Sequence, residues 1–160
     1  TGAIGYRDLV LECFGTVLHP GLQRRIRAVV HWDGPDRAAL NRIESWWKNT
    51  LGYRRLDTFP GWLATLYLLA SREILWEMTV PALAFDTIDF YKIAINGFDI
   101  HNYPIFYAAK RLYNHKTPMN IEGLADSELI DEQAFLDIIY ATLFAQYGPA
   151  IIQKRQEVNR

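Results

Sequence analysis

The chain has 160 residues, half of them hydrophobic and 22% charged, with a formal net charge of −1. A domain of this size buries about two-thirds of its unfolded surface without a metal or disulfide staple, and this composition excludes a wholly disordered chain. The single cysteine, Cys13, excludes an internal disulfide and fits a reducing compartment: the cytoplasm, or an organelle matrix if a presequence was removed.

The opening TGAIGYRDL has neither the basic segment nor the long apolar run of a signal peptide. From there helical spacing dominates. Tyr6, Val10, Cys13, Phe14 and Val17 recur at steps of three and four, and "HPG" at 19–21 stops that helix. Cys13 lies on the apolar stripe and so reads as a buried structural thiol rather than a nucleophile. A second helix sets Leu22, Ile26, Val29 and Val30 on one face and Arg24, Arg25 and Arg27 elsewhere; "DGPD" at 33–36 interrupts the chain, with Pro35 suited to a first helical turn. A third runs to about Leu51, with Ala39, Ile43, Trp46, Trp47 and Thr50 as its buried stripe, before a connection punctuated by Gly52 and Pro60.

The most apolar region, 59–80, is expected to form one core helix from about Pro60 to Met78. Arg72, Glu73 and Glu77 interrupt it well short of the roughly 20 apolar residues a bilayer span needs. Exposed Trp and Tyr rings keep a peripheral membrane contact open. Glu73 and Glu77 sit one turn apart but have no matched partner for acid–base work, so they read as the polar side of this helix. Pro81 then suits the start of a fifth helix, with Ala84, Ile88, Tyr91 and Ile95 aligned and Gly97 as terminator. The same stretch also alternates as Tyr91, Ile93, Ile95 around Asn96-Gly97, a strong hairpin signal, so a small β-hairpin at Tyr91–Asn102 is the alternative. A sixth helix is expected over 103–115. The last, capped by Asp131, is apolar nearly all round through Phe135, Leu136, Ile138, Ile139, Leu143, Phe144 and Tyr147, and should be central.

"GYRDL" at 5–9 and "GYRRL" at 52–56 are near copies, but the residues after each copy do not align, which argues against a stacked solenoid. Charge is uneven. Residues 1–60 carry nine Lys/Arg against six Asp/Glu, whereas 122–137 hold Glu122, Asp126, Glu128, Asp131, Glu132 and Asp137 without a basic residue. Arg24, Arg25, Arg27, Arg54 and Arg55, with Trp32, Trp46 and Trp47 as stacking platforms, are the candidates for an anion or nucleic-acid surface. That reading requires them to converge on one face.

Recognisable catalytic signatures are missing. No histidine has a glutamate three residues before it, those positions being Thr16, Ala28, Phe98 and Leu112; di-iron helical sites need that spacing to aim both ligands at the metal. The zincin, zinc-ribbon, phosphate-loop and nucleophile-elbow patterns are likewise absent. Asp86 and Asp89 would share a helical face and, with Asp99 or His101, could hold a hard cation. The simpler reading is solvent exposure: Asp89 pairs with Lys92, Asp99 caps the next helix and His101 sits in a loop.

The expected fold is all-α: one single-domain irregular or orthogonal bundle of about six or seven helices over 1–160, with 148–160 as a docking tail. Twenty-two aromatic residues exceed what a small core readily buries, and surplus aromatics concentrate at interfaces or line apolar pockets. The expected function is therefore a non-catalytic protein–protein interaction or assembly subunit, bound to a protein partner or to further copies of itself, without a cofactor. Arg24, Arg25, Arg27, Trp32, Arg54, Arg55, Ile151 and Ile152 are its interface candidates. The alternatives are a helical domain with an apolar small-ligand pocket or active site, and anion or nucleic-acid binding through the arginines.

Overall fold

The computed structural model describes residues 10, 13–14, 19–29, 36–51, 60–84, 87–93 and 102–147. Val10, Cys13 and Phe14 are helical and lead into α1 (Pro20–Val29), α2 (Arg37–Leu51), α3 (Pro60–Ala70) and α4 (Glu73–Thr79). A 3-10 turn at Val80–Ala82 and another at Phe90–Lys92 precede α5 (Tyr103–Tyr113), α6 (Ile121–Ala125) and α7 (Glu132–Tyr147). The fold is all-α, and none of these helices is long and apolar enough to cross a membrane.

Two helices form the centre. α3, "PGWLATLYLLA", has no charged residue, so no side of it favours water, and Trp62 through Ala70 are all buried. Its main neighbours are α7 and α5, with α2 on a further side. α7 is buried from Ala134 through Ala141 and again at Leu143 and Phe144. Tyr67 of α3 meets Phe144 of α7 edge to face, ring centroids 5.0 Å apart, an arrangement that sets the positive edge of one ring on the negative face of the other. The Asp131 cap forms as its position before the apolar run implies: Oδ1 accepts from the Ala134 amide at 2.8 Å.

The outer helices are amphipathic in the expected phase. Leu22 and Ile26 of α1 face inward while Arg24 and Arg27 are exposed; on α2, Ala39, Ile43 and Trp46 are buried and Trp47 is half-buried. Cys13 is half-buried, its Sγ donating to Gln146 Oε1 at 3.0 Å, so the first helical segment lies against the end of α7.

Three expectations are corrected. The single helix from Pro60 to Met78 is two helices, because the chain breaks at Ser71–Arg72, where Arg72 is extended (φ −125°, ψ 125°). Among the described residues, the helix opened by Pro81 does not form beyond a 3-10 turn at Val80–Ala82. Leu83 and Ile88 instead make an isolated antiparallel bridge, and the Tyr113 hydroxyl accepts from the Ile88 amide at 3.3 Å, so contacts with α5 override the local spacing. Ile88 is consequently buried and Tyr91 exposed, although both belonged to the expected stripe. The hairpin alternative also fails among the described residues: Tyr91 and Lys92 lie in the second 3-10 turn and no strand occurs, while Asn96-Gly97 falls outside them. The short helix α6 had no counterpart in the apolar spacing. Asn120 nucleates it, its Oδ1 accepting from the Gly123 amide at 2.7 Å.

Candidate functional site

The exposed large hydrophobic side chains among the described residues are Ile74, Val80, Tyr91, Tyr103, Tyr107 and Leu129. Four of these gather around α5. The inward side of this helix is Ile105, Phe106, Ala108, Ala109 and Leu112. Its outward stripe follows by helical phase as Tyr103, Tyr107, Lys110 and Asn114. Tyr103 and Tyr107 are 50% and 42% exposed and, with Leu129 at 47%, edge an open groove of about 250 Å³ completed by Pro104, Met119, Asn120 and Gly123. Its lining is largely apolar, and Met119 there also packs into the core, as does Leu124 of α6.

A second groove, of about 420 Å³, lies towards the C-terminal end of α5. Lys110, Tyr113 and Asn114 form one wall and Thr87, Ile88, Asp89, Phe90 and Tyr91 the other. Tyr91 is 98% exposed, with Lys110 Nζ 6.0 Å from the centre of its ring. Behind it, Phe90 stacks edge-on against both Phe106 and Tyr113 at 5.9 and 5.2 Å, anchoring the turn that presents Tyr91. Arg111 lies over the Tyr107 ring at 5.7 Å and its Nε donates to the Thr117 carbonyl at 2.7 Å, so this tyrosine is oriented from behind. Both grooves are edged by exposed tyrosines, the first being largely apolar and the second also lined by Thr87, Asp89, Lys110 and Asn114, which suits them to holding side chains of another molecule while the phenol hydroxyls hydrogen-bond at the rim.

The residues singled out in the sequence fall elsewhere. Of the acidic and histidine cluster, Asp89 is exposed and its Oδ1 accepts from the Tyr91 amide at 3.1 Å, capping the 3-10 turn. Asp86, Asp99 and His101 lie outside the described residues, among which no three potential ligands come together to hold a metal. Arg24 and Arg27 are exposed on α1. Arg25 turns inward, with Nη1 donating to the Leu124 carbonyl at 2.8 Å and Nη2 to the Ile130 carbonyl at 2.7 Å. Its guanidinium lies 4.4 Å from the centre of the Phe135 ring. Burial lowers its pKa, opposed by Asp131, Asp126 and Glu132, so part of the acidic run serves an arginine from the basic half of the chain. Trp32, Arg54, Arg55, Ile151 and Ile152 lie outside the described residues, as do both GYR copies.

Sequence reasoning missed Tyr91, Tyr103, Tyr107 and Leu129. The signal was thin: tyrosines at 103 and 107 are one helical turn apart, a spacing that reads equally well as a buried stripe. Compared with known proteins, the chain matches no family model, no curated protein and no solved structure.

Proposed function

We propose that the protein is a non-catalytic interaction or assembly module that binds a protein partner through the tyrosine-bearing face of α5. One observation carries this reading: Tyr91, Tyr103, Tyr107 and Leu129 are all exposed and edge two grooves lined by α5, rather than being scattered singly. Tyrosine offers a large contact area with few rotatable bonds, and it is enriched among the residues that dominate binding energy. Lys110 and Arg111 lie near the Tyr91 and Tyr107 rings, and exposed Glu128 precedes Leu129 in the chain. The face therefore suits a partner segment that carries both apolar anchors and charged residues.

Native mass determination on the purified chain and on the chain recovered from its source, with wild type and a Tyr91→Ala/Tyr107→Ala double variant, tests the reading. The expected outcome is a defined complex for the wild type that the variant loses while its thermal transition stays within a few degrees. A wild-type chain that is monomeric in every preparation rejects assembly. A variant that keeps the complex moves the interface elsewhere.

A further inference from the structure

Away from the tyrosine face, the buried length of α7 contains one carboxylate. The Asp137 side chain is 1% exposed; its Oδ2 accepts from Arg72 Nη1 at 2.9 Å and its Oδ1 from Gln133 Nε2 at 3.3 Å. Arg72 is the extended residue at which α3 stops and α4 begins. The same Nη1 donates to the Ser71 carbonyl at 3.2 Å, so one guanidinium spans the joint and the central helix. On the α3 side the joint is closed by Ser71 Oγ donating to the Leu68 carbonyl and Arg42 Nη1 donating to the Ala70 carbonyl, both at 2.6 Å. On the α4 side Trp76 and Val80 form, with Asn41, Ser45, Trp46 and Asn49 of α2, an open groove of about 450 Å³.

We propose that the Arg72–Asp137 contact is a proton-operated latch: ionised Asp137 holds the Ser71–Arg72 joint against α7, and protonation releases Arg72 and, with it, α4 and the Trp76 wall of the groove. The groups acting on the carboxylate come from each neighbouring element: Arg72 at the joint, Gln133 on its own helix, Asp36 before α2 and Tyr67 on α3. Tyr67 stays a neutral phenol, because burial raises its pKa well above the ordinary value, and its oxygen accepts from the Asp36 amide at 2.9 Å. Burial dominates at Asp137 and raises its pKa to about 7, Arg72 pulling it down and Asp36 pushing it up. The proton comes from solvent and neutralises the carboxylate in place, where the neutral acid suits its buried site. Arg72 then has no counter-charge, and its partly exposed guanidinium turns to water.

Hydrogen exchange of the full chain, followed by mass spectrometry at pH 8.5 and 5.5 and corrected for intrinsic rates, tests the latch. Protection over residues 73–82 should fall at least tenfold at the lower pH while residues 132–147 keep theirs. Arg72→Met and Asp137→Asn should show the released exchange at both pH values. Asp36→Asn should keep the step and move its midpoint to lower pH. If Asp137→Asn does not fold, wild type and Arg72→Met decide alone. Equal protection over 73–82 at the two pH values in the wild type overturns the proposal. So does a step that survives in Arg72→Met, or a loss of protection that spreads to 132–147.

Discussion

Arg25 and Phe135 are 110 residues apart in the chain yet stack with the guanidinium 4.4 Å from the ring centre, while the two terminal nitrogens of Arg25 hold the Leu124 and Ile130 carbonyls. This contact closes the turn after α6 onto α1. Lysine carries the charge but has neither the planar fork nor the flat face. Arg25→Lys is expected to destabilise the fold by about 1 to 3 kcal/mol through one lost charge-assisted hydrogen bond and the lost stacking. Urea unfolding curves that superimpose for the two chains would contradict the assignment.

Ile139 sits within the buried length of α7 at 1% exposure, on the helix that packs most extensively against α3. Ile139→Ala removes apolar area and leaves a cavity that two apolar helices cannot readily close. The expected cost is about 2 to 5 kcal/mol, read from the denaturation midpoint at unchanged m-value.

Gly123 needs its missing side chain. A Cβ there would lie 2.9 Å from Asn120 Oδ1 and 2.9 Å from both Cγ and Sδ of Met119. Gly123→Ala must therefore displace the α6 cap or push Met119 towards the groove it lines with Tyr103 and Tyr107. The expected loss is about 1 to 3 kcal/mol. Under the proposed interaction role, binding at this face should weaken as well, and full affinity in a folded variant would exclude this groove from the interface.

Asp137 gives stability a pH dependence of definite sign. Its folded pKa of about 7 exceeds the ordinary 3.8, so between those values the folded chain holds a proton that the unfolded chain has released. Its contribution is fully present below the unfolded value and is lost as pH rises through about 7. From pH 5 to pH 8 the wild type should lose roughly 2 to 3 kcal/mol relative to Asp137→Asn, whose side chain does not titrate. Subtracting the two unfolding profiles removes the other carboxylates. A flat or rising difference would rule out a buried acid of raised pKa.

Much of the bundle was legible in residue spacing. The stripe Ala39, Ile43, Trp46 and the turn signal before it located α2, and Asp131 ahead of an unbroken apolar run located α7 and its burial. These features depend on contacts within a turn or on the average affinity of one helix face for water, both of which neighbouring residues encode. The break at Ser71–Arg72 was not legible, because Arg72 is drawn to a carboxylate 65 positions later. Between Val80 and Ile93 the described residues form two 3-10 turns and a bridge instead of a helix, since the Tyr113 hydroxyl engages the Ile88 amide and Leu83 pairs with Ile88. Exposure of Tyr103 and Tyr107 was equally hidden. Spacing states that a stripe exists, but which stripe of α5 meets the core depends on where α3 and α7 lie, and that is settled by contacts between residues remote in the chain.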